Sequence, residues 1–271
     1  MTPEILAPAG SFDAAVAAVN SGADAIYLGQ KRFSARANAQ NFDEGQLEQM
    51  VRLCHNSGVK VYQAVNTVTF DREFAELEHC IGTAAKLGID ALIVQDLGVA
   101  AAVKRWAPEL RLHASTQMSI ASADGAAFAK RMGFSRVVLA RELSLAEIDE
   151  IARSVEIELE VFVHGALCMC VSGQCYLSAM LGSRSANRGG CAQPCRLPFS
   201  VDGTGSCDLS LKDLSAMSQL KRLEEIGVTS FKIEGRMKRP EYVGAAVSAV
   251  RETLSGSFPD MERLRSVFSR D

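Results

Sequence analysis

The sequence lacks the features of a membrane-spanning or exported protein. Its longest apolar stretches are about seven to nine residues, whereas a helix needs roughly 18 to cross a bilayer. The N-terminal segment contains neither a basic region nor a long apolar region, so it does not resemble a signal peptide. We therefore expect a cytoplasmic protein that has no membrane partner.

Several chemical signatures are also missing. The turn after the first predicted strand, Pro8-Ala9-Gly10-Ser11, is not the GxGxxG turn that binds dinucleotides. The chain has no GxSxG and no HExxH motif, which excludes two familiar hydrolase patterns. The net charge is −3, so any binding of nucleic acid must use a local basic patch. Aromatic residues make up only 6% and follow core patterns, so the sequence predicts no aromatic stacking platform.

What the sequence does contain is a repeated alternation of helices and short apolar strands. Five strands follow a glycine that suits a left-handed helix C-cap, and apolar strands of this kind are buried on both faces. The pattern predicts eight strands, at residues 4–7, 25–28, 59–62, 91–94, 110–114, 137–139, 159–163 and 230–233. It predicts helices between them at residues 14–20, 44–57, 72–87, 97–106, 121–132, 145–154 and 214–226.

Eight strand–helix pairs indicate an α/β protein with a (β/α)8, TIM-type barrel. A doubly wound open sheet is the alternative, although it usually has fewer strands. We expect the barrel to span residues 1–255, with a closing helix at residues 240–254. Residues 256–271 look like the start of a C-terminal segment, and we expect the chain to be a fragment of a longer protein.

Most of the cysteines lie in one segment. Six of the eight fall within residues 164–213, a long loop after the seventh predicted strand. In a barrel, such a loop lies on the face that carries the chemistry, and loops of this length are usually functional. In a reducing compartment, clustered cysteines indicate metal ligands or catalytic thiols. Cys54 and Cys80 lie in helical patterns and should be buried.

Four of the loop cysteines have the spacing Cys168-x6-Cys175-x15-Cys191-x3-Cys195. Four thiolates can hold a tetrahedral zinc ion or an iron–sulfur cluster. Zinc knuckles favour tighter pairs, and the glycines of this loop allow the close backbone approach that cluster sulfurs need. The pattern favours iron–sulfur, with zinc and unligated thiols as alternatives. The remaining loop cysteines, Cys170 and Cys207, are predicted to be idle.

Polar residues at the predicted strand ends suggest a pocket for an anion. Arg36, Arg141 and Arg236 are candidate substrate-binding residues, because a guanidinium group grips a carboxylate with two hydrogen bonds. The candidate catalytic residues are His113, His164 and Glu234, since both histidines lie on strands and can transfer protons near neutral pH.

Basic residues also gather after the last two predicted strands. They could form a positive rim that meets RNA phosphates, or they could be scattered solvated charges. The set consists of Arg184, Arg188, Arg196, Lys232, Arg236, Lys238 and Arg239.

Five segments together resemble peptidase family U32: residues 4–10, 33–39, 163–178, 187–196 and 231–238. They extend over essentially the whole chain, and the nearest subgroup contains a 23S rRNA C-hydroxylation protein. The resemblance implies oxygen-independent hydroxylation of an RNA base, either a 23S rRNA cytidine or a tRNA uridine. It also implies a [4Fe–4S] cluster and prephenate as a small anionic co-substrate.

Two other functions stay open at this point. The family name records a peptidase, and Cys168 with His164 could form a thiolate–imidazole pair. However, a cysteine that ligates iron is not a free nucleophile. The third alternative is a redox or scaffold subunit that works with a partner.

Overall fold

The computed structural model describes residues 2–37, 39–200, 203 and 205–268, and these form a closed barrel of parallel strands. The strands are β1 (Glu4–Pro8), β2 (Ala25–Gly29), β3 (Lys60–Val65), β4 (Ala91–Val94), β5 (Arg111–Ala114), β6 (Arg136–Val138), β7 (Glu158–Ala166), β8 (Asp213–Ser215) and β9 (Ser230–Ile233). Each strand from β1 to β7 pairs with the next, and β9 closes the ring between β7 and β1. The predicted (β/α)8 barrel is confirmed.

Helices cover the outside of the barrel. They are α1 (Phe12–Asn20), α2 (Glu44–Asn56), α3 (Phe74–Leu87), α4 (Leu97–Trp106), α5 (Ala123–Arg131), α6 (Leu145–Ser154), α7 (Leu177–Gly182), α8 (Leu220–Ile226), α9 (Pro240–Leu254) and α10 (Met261–Val267). Of these, α7 lies within the cysteine loop. A search of the described residues finds no helix with the length and apolar character needed to span a bilayer.

Side-chain caps and glycines set the helix ends. Serine or aspartate side chains accept backbone N–H groups in the first turns of six helices. The capping residues are Ser11, Asp43, Asp96, Ser122, Ser144 and Asp260. The five glycines that the sequence predicts as left-handed all have positive φ, at Gly22, Gly58, Gly88, Gly133 and Gly227. A left-handed residue after each helix turns the chain back toward the next strand.

The core has two layers. Most buried apolar side chains lie between the strands and the helices, and Cys54 and Cys80 are among them, as predicted. Burial raises the pKa of both thiols to about 12. A smaller apolar group is packed separately from this layer, and the alternation of strand side chains assigns it to the barrel interior. It consists of Leu6, Ala25, Tyr27, Tyr62, Ala91 and Ile93.

Charged side chains also lie in the barrel interior. We call the group of Glu4, Arg136, Glu158, Glu160 and Lys232 the ionic ladder. Arg136 donates to Glu4 at 2.6 Å, to Glu158 at 2.9 Å and to Glu160 at 3.2 Å. Lys232 donates to the other oxygen of Glu160 at 2.6 Å. Burial alone disfavours the Arg136 charge, but Glu160 and Glu4 outweigh it and raise the pKa of Arg136. The ladder therefore runs from the first residues of β1, β6 and β7 up to Lys232 on β9.

The structure corrects the sequence prediction after β7. The predicted strand at residues 159–163 extends to Ala166, and the predicted helix at residues 214–226 begins only at Leu220. Asp213–Ser215 instead forms β8, which pairs antiparallel with the end of β7. The end of β7 projects beyond its short neighbour β6, so its backbone groups need another partner, and β8 supplies it. In the C-terminal segment, residues 269–271 lie outside the described residues.

Candidate functional site

A cavity of about 380 Å³ opens at the carboxyl ends of the barrel strands. Its floor includes Tyr27, Phe162 and Lys232, and its walls include Asn66 and Gln117 from the loops after β3 and β5. The cysteine loop covers the opening. The cavity thus lies where barrel enzymes carry out their chemistry, and its size is typical of small-molecule sites.

The structure brings the four predicted ligand cysteines to this one cavity, since Cys168, Cys175, Cys191 and Cys195 all line it. Burial raises the pKa of Cys195, Arg196 opposes the rise, and Cys168, Cys191 and Cys175 add to it. Cys195 therefore lies within electrostatic reach of the other three cysteines. In the described part of the chain, no three His, Cys, Asp or Glu side chains are grouped so as to hold a single metal ion.

Hydrogen bonds within the loop hold its two halves together. Arg196 donates to the carbonyl oxygens of Leu167 and Leu211, both at 2.6 Å. Because Leu167 precedes Cys168 and Arg196 follows Cys195, this side chain joins the segments that carry the first and last cysteines. Asn187 donates to the Gly173 carbonyl oxygen at 2.9 Å and so joins the two middle segments.

Other contacts fix the loop to the barrel. Glu142, which follows β6, accepts the Ser172 backbone N–H at 2.7 Å. Gly173 has a φ of +78° and packs so closely on the Gln117 backbone that a Cβ atom would overlap it. Gly189, with a φ of +82°, approaches Ser34 in the same way. These glycines are required for left-handed backbone in close contact with the barrel loops.

Arg188 provides a further anchor, just before Cys191. Its guanidinium forms two hydrogen bonds with Glu73, at 2.6 and 3.0 Å, and stacks over the Phe70 ring at 4.5 Å. The hydrogen bonds from Arg188, then the one from the Phe70 backbone, lower the pKa of Glu73 to about 2. Glu73 therefore fixes the Cys191 segment to the loop before α3.

We expect Glu73→Gln to lower the free energy of unfolding at pH 7. The difference from the wild type should become smaller in acid. The folded protein holds the pKa of Glu73 at about 2, below the ordinary 4.5, so the carboxylate stabilises the fold above pH 4.5. This contribution is lost as the pH falls from 4.5 to 2. Urea unfolding at pH 7, 4 and 3 measures it. Glu76→Gln is the control, because the Glu76 pair with Arg32 is half-exposed. A pH-independent difference for Glu73→Gln would contradict the expectation.

Cationic side chains also line the cavity. Arg36, Arg141 and Arg236 all line it, as does Lys232. Arg36 contacts both oxygens of Glu234 at 3.4 Å, whereas Arg236 donates to Ser34 at 2.7 Å. Among the described residues, the buried Arg141 Nε has no hydrogen-bond partner.

The charges in this group influence one another. Burial alone raises the pKa of Glu234, but Arg36, Arg141 and Arg236 outweigh it, so the net pKa lies below its ordinary value. Burial, and then repulsion from Arg36, lowers the pKa of Arg236 to about 10. Six basic side chains thus line the cavity, and Glu234 is the one carboxylate among its described lining residues. The six are Arg36, Arg141, Arg196, Lys232, Arg236 and Lys238. This excess of positive charge suits an anionic ligand.

The structure separates the two predicted catalytic histidines from this cavity. His113 is fully buried and meets Tyr62 edge to face at 4.7 Å, and within the described chain neither of its ring nitrogens has a hydrogen-bond partner. His164 stacks on Tyr242 of α9 at 5.7 Å. Burial lowers the pKa of both histidines. Of the predicted catalytic residues, only Glu234 is among the described residues that line the cavity.

The predicted basic rim is only partly present. Arg188 and Arg196 are engaged in holding the loop, and Lys232 and Arg236 are buried in the cavity. Arg184 is exposed. Lys232 is the functional residue that the sequence analysis misplaced, since it was assigned to the rim. A lysine between Phe231 and Ile233 in a buried strand was the available signal for an interior charge.

Comparisons with known proteins support a common family. The family model described as peptidase family U32 matches residues 10–269. A 23S rRNA 5-hydroxycytidine C2501 synthase from Escherichia coli is 41% identical over 93% of this chain and 39% of its own length. The tRNA hydroxylation protein P1 of Bacillus subtilis is 36% identical over 96% of this chain and 65% of its own length. This chain therefore spans about two fifths and about two thirds of these relatives.

Other relatives carry a peptidase name. A protein named collagenase from Porphyromonas gingivalis is 36% identical over 98% of this chain and 71% of its own length. The solved structure of the U32 peptidase Mk0906 has a TM-score of 0.60 at 14% identity, and covers 87% of this chain and 93% of that one. At this identity the structural match supports the fold alone. The family match over nearly the whole chain, together with these sequence relatives, shows that the chain belongs to peptidase family U32.

Proposed function

We propose that this protein hydroxylates an RNA base, a 23S rRNA cytidine or a tRNA uridine, with the aid of a [4Fe–4S] cluster and a small dianionic co-substrate. The observation that carries the proposal is that four cysteines and six basic side chains line the same cavity. The names of two sequence relatives, an rRNA hydroxycytidine synthase and a tRNA hydroxylation protein, support RNA as the substrate.

The cysteines fit an iron–sulfur cluster. The thiols of Cys168, Cys175, Cys191 and Cys195 face one space, and the charges of the other three act on Cys195. A cubane binds one thiolate at each of four iron atoms, so it needs a wider ligand set than a single zinc ion. When bound, the cluster would supply redox or Lewis-acid chemistry.

The cations fit a small dianion, and prephenate is our candidate. Arg36, Arg141 and Arg236 offer planar guanidinium groups, which bind carboxylates with two parallel hydrogen bonds. The unpartnered Nε of Arg141, among the described residues, leaves a donor available for such a ligand. Hydroxylation converts C–H into C–OH, so it requires an oxygen donor and an electron acceptor in addition to RNA.

Glu234 is the proposed proton acceptor in this cavity. Because its pKa lies below the ordinary value, the carboxylate is ionised at neutral pH and can accept a proton but has none to donate. It also accepts hydrogen bonds from Arg36 and so holds one of the dianion-binding groups in place.

The peptidase alternative has weaker support. The pair of Cys168 and His164 would need a hydrogen bond between nucleophile and base. Cys168 lines the cavity, whereas His164 stacks on Tyr242 and is absent from the described lining residues.

Nucleoside mass spectrometry tests the proposed function. We expect deletion of the gene to remove a hydroxylated nucleoside from rRNA or tRNA, and the wild-type gene to restore it. Cys191→Ser and Arg141→Met should fail to restore it, whereas Cys207→Ser should succeed, because Cys207 is not among the described residues that line the cavity. Unchanged nucleosides after deletion, together with Cys168-dependent cleavage of denatured collagen by the purified protein, would favour the peptidase.

A further inference from the structure

An exposed apolar surface lies beside the mouth of the cavity, on α7 and the turn before it. Met180 is 82% exposed, Tyr176 62%, Leu181 60% and Val171 54%. We call these four residues the α7 face. Large exposed apolar side chains on one segment mark interaction sites, so the α7 face is a candidate binding surface.

Tyr176 connects the α7 face to the cavity. Its chain neighbours, Cys175 and Leu177, both line the cavity, while Tyr176 itself points into solvent. The other three tyrosines, Tyr27, Tyr62 and Tyr242, are buried. Tyr176 is therefore the tyrosine whose ring is open to a ligand from solvent.

The charge around the α7 face is favourable for a polyanion. Residues 161–201 contain no aspartate or glutamate, although the chain as a whole has a net charge of −3. Arg184, which lies two residues after the end of α7, is exposed. A negatively charged strand would therefore meet a cation and no carboxylate from this stretch of the sequence. Glu142 accepts the Ser172 backbone N–H beside Val171, so the favourable end of the face is the one next to Arg184.

We propose that the α7 face binds single-stranded RNA and that Tyr176 stacks on a base next to the one that enters the cavity. The inference rests on the proposed function. A base can reach a deep cavity only after it leaves its stack, and this exposes the faces of its neighbours. Exposed bases stack on aromatic side chains, whereas a duplex keeps those faces covered. The apolar side chains of Met180 and Leu181 extend the same surface.

Fluorine NMR can test the contact directly, because Tyr176 is the one exposed tyrosine of four. The whole chain is labelled with 3-fluorotyrosine, and Tyr176→Phe assigns the resonance. We expect this resonance, and not the other three, to shift when a ten-nucleotide single-stranded RNA is added. A duplex of the same length should shift it much less.

Binding measured by fluorescence anisotropy gives the second readout. Tyr176→Ala should weaken binding of the single strand about tenfold, and Tyr176→Phe should change it less than about twofold, because stacking needs only the ring. Arg184→Gln should reduce the slope of log K against log salt by about 0.7. Phe128→Ala, an exposed aromatic on α5, is the control and should have no effect.

Three outcomes would overturn the inference. RNA could bind without moving the Tyr176 resonance, or the chain could fail to bind the single strand even at low salt. Alternatively, the resonance could move with protein concentration alone, which would assign the face to self-association. None of these outcomes changes the nucleoside test. Conversely, unchanged nucleosides after gene deletion would refute the proposed function whatever the behaviour of Tyr176.

Discussion

Replacement of Cys191 by serine is expected to remove nearly all the iron and sulfide from anaerobically purified protein. Under the proposed function, the wild-type chain should be brown and contain about four iron and four sulfide per molecule. Cys191 is one of four thiols that line a single cavity, and a serine hydroxyl is a poor substitute for a thiolate on iron. Iron and sulfide analysis, with the visible absorption spectrum, measures the loss.

Cys168→Ser, Cys175→Ser and Cys195→Ser should behave in the same way. The matched control is Cys207→Ser, because Cys207 lies on the same loop but is exposed and is not among the described residues that line the cavity. Colourless wild-type protein with one zinc per chain would contradict the prediction. So would equal iron loss in the Cys207 variant.

Replacement of Arg136 by methionine should cost about 3–5 kcal/mol of unfolding free energy, because it removes the central cation of a buried ion-pair network. The Arg136 side chain is 4% exposed, and it donates to Glu4, Glu158 and Glu160. Methionine keeps the apolar stem and lacks the guanidinium group, so the change removes the charge together with its hydrogen bonds. Urea unfolding at neutral pH measures the difference.

A second arginine of the same network provides the control. Arg111 also pairs with Glu158, but the two side chains are 47% and 34% exposed. Arg111→Met should therefore cost no more than about 1 kcal/mol. Equal effects of Arg136→Met and Arg111→Met would show that burial of the ladder is not what makes it strong.

The barrel was predictable because its signals are local and repeat. Each strand is a short apolar run, and five of them follow a glycine that has positive φ in the structure. The helices α4, α6 and α9 match their predicted limits. β8 was not predictable in this way, because Asp213–Ser215 carries no strand pattern of its own. It forms a strand because the exposed edge of β7 offers it hydrogen bonds.

The candidate site was likewise predictable in part from the sequence. The cysteine spacing predicted that four thiols act together, and the arginines at strand ends predicted a cationic pocket. The structure places both groups around one cavity. The direction of an individual side chain was beyond the sequence. His164 follows a register irregularity between β7 and β9, and its ring lies against α9. Composition also could not show that Tyr176, alone among four tyrosines, is exposed.

The placement of the cysteines has a consequence for how the protein matures. The four cavity cysteines lie between β7 and β8, outside every strand of the ring, and the pairing from β1 round to β9 closes without them. We therefore expect the barrel to fold without iron. Under the proposed function, the newly made chain can fold first and bind the cluster afterwards. Iron supply would then limit how much of the protein is active, and not how much of it survives.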